Sequence, residues 1–125
     1  MKTVIATSEA PRAIGPYSQA VVANGWLFVS GQIPLDPVTG ERVEGDITVQ
    51  TERVLQNVLA LLHAHKMTPA NVLKTTVFMP DLADFAAMNA VYSRYFGEPF
   101  PARSTIQVAA LPRGAQVEIE VIAAP

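Results

Sequence analysis

Two periods alternate along this chain, and the switches between them mark its elements. Thr3 to Thr7 is a short apolar stretch that reads as a strand. Residues 8–19, SEAPRAIGPYSQ, hold two prolines and a glycine and cannot form a regular element. Two apolar runs then flank Asn24-Gly25, which predicts a β-hairpin with a type I′ turn, because Asn and Gly accept the positive φ that this turn demands. Residues 33–45 are rich in turn formers and have no period. From Asp46, a natural N-cap, the period becomes helical. Ile47, Thr51, Val54, Leu55, Val58, Leu61 and Leu62 share one stripe, and Gln50, Glu52, Arg53, Gln56, Asn57 and His63 are expected to face out. Pro69 lies beyond the end of that helix. Leu73 to Met79 returns to period two, with Thr75, Val77 and Met79 on one face.

Asp81 and Asp84 compete to cap a second helix, whose stripe is Phe85, Met88, Tyr92, Tyr95 and Phe96. Gly97 and Pro99 close it. The last stretch, Pro101 to Pro125, reads as two strands joined by a turn at Pro112–Gly114, and hence as a terminal hairpin. Alternation puts Arg103, Thr105 and Gln107 opposite Ile106 and Val108, and Glu118 and Glu120 opposite Val117, Ile119 and Val121. The order is β-β-β-α-β-α-β-β: one α+β domain over residues 1–125, with two helices on one face of a six-stranded mixed sheet. The other face is expected to carry Arg103, Thr105, Glu118 and Glu120, and to be buried by symmetric association.

Composition sharpens that expectation. Half of the 125 residues are apolar and 16% are charged, so the chain is short of polar surface. A net charge of −2 with no basic cluster argues against a nucleic-acid backbone as partner. Cysteine is absent, which excludes disulfides and thiolate chemistry and fits a reducing cytoplasm. The N-terminus lacks the apolar core of a signal peptide.

Candidate chemistry concentrates near the C-terminus. The fork of Arg103 suits a substrate carboxylate, and equally a structural ion pair with Glu118 or Glu120. Glu118 could activate a water, and both glutamates also suit an exposed face or a subunit contact. If the hairpin pairs Val108 with a residue near Val117, Arg103 lies roughly 14–17 Å from Glu118 along the ladder, and a neighbouring subunit would complete each site. Tyr17 follows Gly15-Pro16 as a packed loop aromatic or a hydroxyl donor. Ser30-Gly31 ends a strand, either as a simple turn or as a source of backbone N–H groups. Asn89 is poorly placed by propensity inside a helix, which points to a loop or a ligand. His63 and His65 diverge on their helix and make no metal pair.

The run PARSTIQVAALPRGAQVEIEV resembles the signature of the RidA family, also called the YjgF or L-PSP family. AIGPYSQA around Tyr17, VSGQIP around Ser30-Gly31, LKTTVFMPDLADF and the MNAVY segment around Asn89 agree with it in order and spacing. The resemblance covers essentially the whole chain. It implies a chorismate-mutase-like fold and a homotrimer with a central barrel and clefts between subunits. It implies a 2-iminobutanoate/2-iminopropanoate deaminase, hydrolysing reactive imines from pyridoxal-phosphate-dependent dehydratases to 2-keto acids and ammonia without cofactor or metal. In that scheme Arg103 grips the carboxylate, Glu118 activates water, and Tyr17, Ser30, Gly31, Asn89 and Thr105 line the site. Thr105 stands where many members have a reactive cysteine, and Lys66 where many have glycine. A 2-keto-acid-binding regulatory trimer, which would also use Arg103, is an alternative. An endoribonuclease or translation inhibitor is a further one, disfavoured by the acidic balance.

Overall fold

A computed structural model describes all residues, 1–125. The elements run β1 (Thr3–Ile5), β2 (Ala20–Ala23), β3 (Trp26–Gln32), α1 (Ile47–Ala64), β4 (Val72–Met79), α2 (Phe85–Tyr95), β5 (Ala102–Gln107) and β6 (Glu118–Ala123). The order is the one expected. Asn24 and Gly25 both hold positive φ, 52° and 81°, at the β2–β3 turn. The Asp46 carboxylate accepts from the Val49 amide at 3.1 Å and caps α1. Asp81 caps the short 3₁₀ turn before α2, while Asp84 caps nothing. At the far end of α1, Lys66 takes the left-handed conformation, φ 57°, that glycine adopts most easily.

The sheet order is β1-β2-β3-β6-β4-β5, and this overturns the terminal hairpin. β5 and β6 do not pair. β5 lies parallel to β4 at the sheet edge, and β6 inserts antiparallel between β3 and β4. A parallel neighbour needs a crossover, and α2 supplies the one between β4 and β5. β6 is central in the sheet, and its alternate residues Ile119, Val121 and Ala123 are buried in the core while Glu120 is exposed.

Register then corrects the faces. Arg103 lies opposite Thr75, and Thr75 opposite Val121; Thr105, Val77 and Ile119 form the next row. Residues in one row share a face. Arg103 and Thr105 therefore project on the helix-covered side. Glu118 and Glu120, in rows with Phe78 and Thr76, project on the helix-free side. The four were expected together because a hairpin would align their alternation; with β4 between the strands, the phase is set by β4 instead.

Both helices pack on one face over a core that includes Leu27, Val54, Leu55, Val58, Leu61, Val77, Met79, Met88 and Ile119. Two α1 residues expected to face out do the opposite. Gln50 and Asn57 are fully buried. The Asn57 amide donates to the carbonyls of Leu35 and Ile33, at 3.0 and 3.3 Å, and its oxygen accepts from Arg53. Gln50 accepts from the Gln116 amide and donates to the Gly45 carbonyl. These side chains take up backbone groups of the connecting loops: the carbonyls of Ile33, Leu35 and Gly45 before α1 and the amide of Gln116 before β6. Asn57→Leu should lower unfolding free energy by about 2–4 kcal/mol, because two loop carbonyls and Arg53 lose their partner. Urea denaturation at fixed protein concentration measures it.

Candidate active site

Arg103 sits on the edge strand with its guanidinium against α2. Its carbon lies 4.7 Å from the Tyr92 ring centre and 5.4 Å from that of Phe85. One guanidinium nitrogen donates to the Asn89 side-chain oxygen at 2.7 Å. Phe85, Asn89 and Tyr92 stand at i, i+4 and i+7, so one stripe of α2 forms a bed for the charge. Tyr92 is fixed from below by a hydroxyl contact with Thr75 at 2.7 Å. Burial raises the Tyr92 pKa above its ordinary value, with the Thr75 hydrogen bond and the Arg103 charge opposing. No carboxylate pairs with Arg103; the one ion pair of the chain is Arg94–Glu52. Within the chain, Arg103 therefore forms no ion pair with Glu118 or Glu120. A half-buried guanidinium positioned by an amide and two rings, with donors unused, is suited to an incoming anion.

Glu118 occupies the other side of the sheet, at the start of β6. Its pKa is raised above the ordinary carboxylate range, first by burial and then by the neighbouring Glu120 charge. Its side chain rests on Gly31. A Cβ built on Gly31 would come within 2.0 Å of a Glu118 carboxylate oxygen, so only glycine leaves room for it. A register shift between Val29 and Gln32 marks the same spot on β3. Together with Tyr17, Arg12, Gln19 and Ile33, these residues line a cleft of about 340 Å³. Tyr17 is 53% exposed.

The predicted residues thus fall into two clusters. Arg103 and Asn89 belong to one, with Thr105 two residues further along the same edge strand. Tyr17, Gly31 and Glu118 belong to the other. Ser30 joins neither through its side chain: its hydroxyl donates to the Ser18 carbonyl and its amide to that of Gln19. Asn89 touches Arg103 and so acts through it in this chain.

Sequence reasoning missed three contributors. Gln19 is buried, accepts from the Thr7 amide and faces the carbonyls of Thr7, Ala10 and Pro11, which shapes the loop bearing Arg12 and Tyr17. A glutamine at the foot of a proline-rich loop was the available signal. Phe85 and Tyr92 were assigned to the helix stripe alone, and their second role needs the position of β5. No group of three His, Cys, Asp or Glu side chains is placed to hold a metal ion. No helix is long and apolar enough to cross a membrane.

The family model described as endoribonuclease L-PSP matches residues 7–125. The chain belongs to this family, whose members also carry the Rid name. The Rid protein YyfA of Yersinia pestis has 52% identity and a TM-score of 0.97, each chain covered in full. TdcF from E. coli, solved with bound serine, has 44% identity and a TM-score of 0.93 over 98% of each chain. Among curated relatives, the human 2-iminobutanoate/2-iminopropanoate deaminase is 45% identical over 123 residues, 98% of this chain and 90% of the relative. The α+β architecture expected from the sequence is therefore the Rid fold.

Proposed function

We propose that the chain is a cytoplasmic imine deaminase that hydrolyses 2-iminobutanoate and 2-iminopropanoate to 2-keto acids and ammonia. The observation that carries this reading is Arg103, a positioned guanidinium without a carboxylate partner. The deaminase name of the human relative supports it, and so does the serine in TdcF, a small carboxylate with nitrogen on the adjacent carbon.

The site is completed between subunits. Arg103 and Glu118 project from opposite faces, so one chain presents two half-sites. The helix-free face exposes Val4, Trp26, Phe28 and Ile106 at 58, 45, 39 and 44%. Those side chains form an apolar surface suited to burial in a closed ring. A homotrimer with this face inward sets Arg103 of one subunit against the Tyr17, Gly31 and Glu118 cleft of the next.

Arg103 takes the substrate carboxylate and fixes the C=N carbon. Glu118 removes a proton from a water as the oxygen bonds to that carbon, giving a tetrahedral carbinolamine. That proton passes to nitrogen; Glu118 then takes the hydroxyl proton as the C=O bond forms and delivers it to nitrogen as the C–N bond breaks, so ammonia leaves with the 2-keto acid. The raised pKa of Glu118 makes it a stronger base than an ordinary carboxylate. Tyr17 donates from its hydroxyl to the substrate.

Mixing two inactive variants tests the shared site. Arg103→Ala and Glu118→Gln, unfolded and refolded together, should recover about a quarter of wild-type activity, since each mixed trimer holds one intact site. Recovery of none would place both residues in one subunit's site. Gly31→Ala should lower kcat about 10²-fold, because the new Cβ displaces the Glu118 carboxylate. Thermal melting should change little, the displaced group being a flexible side-chain end.

A regulatory role as a keto-acid sensor also uses Arg103, and turnover in a dehydratase-coupled assay separates the two. The acidic balance, with a net charge of −2, disfavours RNA as substrate.

A further inference from the structure

The cleft that holds Glu118 does not end at Tyr17. It shares Pro11, Arg12, Ile14, Tyr17, Gln19 and Leu35 with a second cavity of about 720 Å³, lined further by Val4, by residues 6–8 and by residues 37–40. Arg12 lines both. Arg12 and Glu118 are the only charged residues lining the inner cleft, and Arg12 is the only one lining the outer cavity. Arg12 is exposed and forms no ion pair within the chain.

A substrate held as proposed leaves this arginine unused. The α-carboxylate goes to Arg103 of the neighbouring subunit and the imine carbon lies at Glu118. The substrate's side chain must then leave along the inner cleft. A methyl or ethyl group offers Arg12 nothing to bind. A side chain ending in a carboxylate brings a second negative charge into the cleft that Glu118 and Arg12 both line. Only a cation on that path can offset the repulsion, and Arg12 is the one available.

We infer that Arg12 is a specificity-determining residue that binds the side-chain carboxylate of dicarboxylic 2-imino acids, so that the substrate class extends to imines of acidic amino acids. This rests on the deaminase reading of the same cleft. The reaction is unchanged: water adds to C=N and ammonia leaves, giving a dicarboxylic 2-keto acid. No acidic side chain lines the outer cavity to compete for Arg12, and the hydroxyls of Thr7, Ser8 and Thr39 offer further donors.

The test compares two imines made in situ by amino-acid oxidases, 2-iminoglutarate from glutamate and 2-iminopropanoate from alanine. Catalase removes peroxide and semicarbazide traps imine that the enzyme has not hydrolysed. Wild type should accelerate hydrolysis of both. In Arg12→Ala the ratio of kcat/KM for 2-iminoglutarate to that for 2-iminopropanoate should fall roughly 5- to 20-fold, and Arg12→Lys should restore part of it. An unchanged ratio, or a wild type that hydrolyses only 2-iminopropanoate, overturns the role of Arg12. If wild type hydrolyses neither imine, the deaminase reading falls, and calorimetry with 2-oxoglutarate and 2-oxobutanoate decides on Arg12 alone. Preferential binding of 2-oxoglutarate that Arg12→Ala abolishes upholds the second-carboxylate site, and equal affinities reject it.

Discussion

Replacing Arg103 with alanine is expected to lower kcat/KM for 2-iminobutanoate by about 10²- to 10³-fold, assayed as ketobutyrate release behind a threonine dehydratase. A charge-assisted contact to a carboxylate is worth roughly 1.5–3 kcal/mol, and its loss also frees the imine carbon from alignment with the attacking water. The whole protein should survive the change. Arg103 lies on an edge strand, half-buried, and its internal contacts are one amide and two ring faces. Losing them should cost about 1 kcal/mol. Arg103→Lys should recover little, since a point charge cannot match both carboxylate oxygens or lie flat between Phe85 and Tyr92. Asn89→Ala should act in the same direction and more weakly, by freeing one guanidinium nitrogen. A variant at position 103 that matched wild type after subtraction of the uncatalysed rate would end the carboxylate-anchor role.

The sequence made some of this site legible and hid the rest for identifiable reasons. Local signals carried the elements: Asn24-Gly25 for the hairpin, Asp46 for the start of α1, and the stripe from Ile47 to Leu62 for its buried face. Period two also separated Arg103 from Ile106, and Glu118 from Ile119, within each strand. It could not relate one strand to another. The assumption that consecutive strands pair put Arg103 and Glu118 on one face, and the insertion of β6 between β3 and β4 set them on opposite faces. That order depends on contacts far apart in sequence, which no window of residues contains. Gln50 and Asn57 failed for a similar reason. A polar residue is assigned to solvent by default, and only backbone groups from the loops before α1 and before β6 make their burial favourable. Gly31 stood out as a turn residue, but its reason is the Glu118 carboxylate lying against it.

Glu118→Gln should remove most activity and stabilise the protein, a combination that separates a functional charge from a structural one. Loss of a positioned base lowers kcat by about 10²- to 10⁴-fold. The stability change follows from the sign of the pKa shift. Burial and the Glu120 charge raise the folded-state pKa of Glu118 above its unfolded value. Its contribution to stability is therefore most favourable below the unfolded pKa and is lost as pH rises through the folded pKa. At neutral pH the ionised carboxylate is a burden that glutamine lacks, so the variant should melt about 2–4 °C higher. That advantage should vanish as pH falls through the carboxylate range. Glu120→Gln isolates the second cause. It should move the acid limb of the wild-type pH–kcat profile to lower pH, because Glu118 then ionises more readily, while burial keeps the limb above that of an ordinary carboxylate. Kinetics after subtraction of spontaneous hydrolysis, with melting curves at matched pH, measure both effects. A Glu118→Gln protein that is destabilised at neutral pH and retains activity would make this carboxylate a structural group.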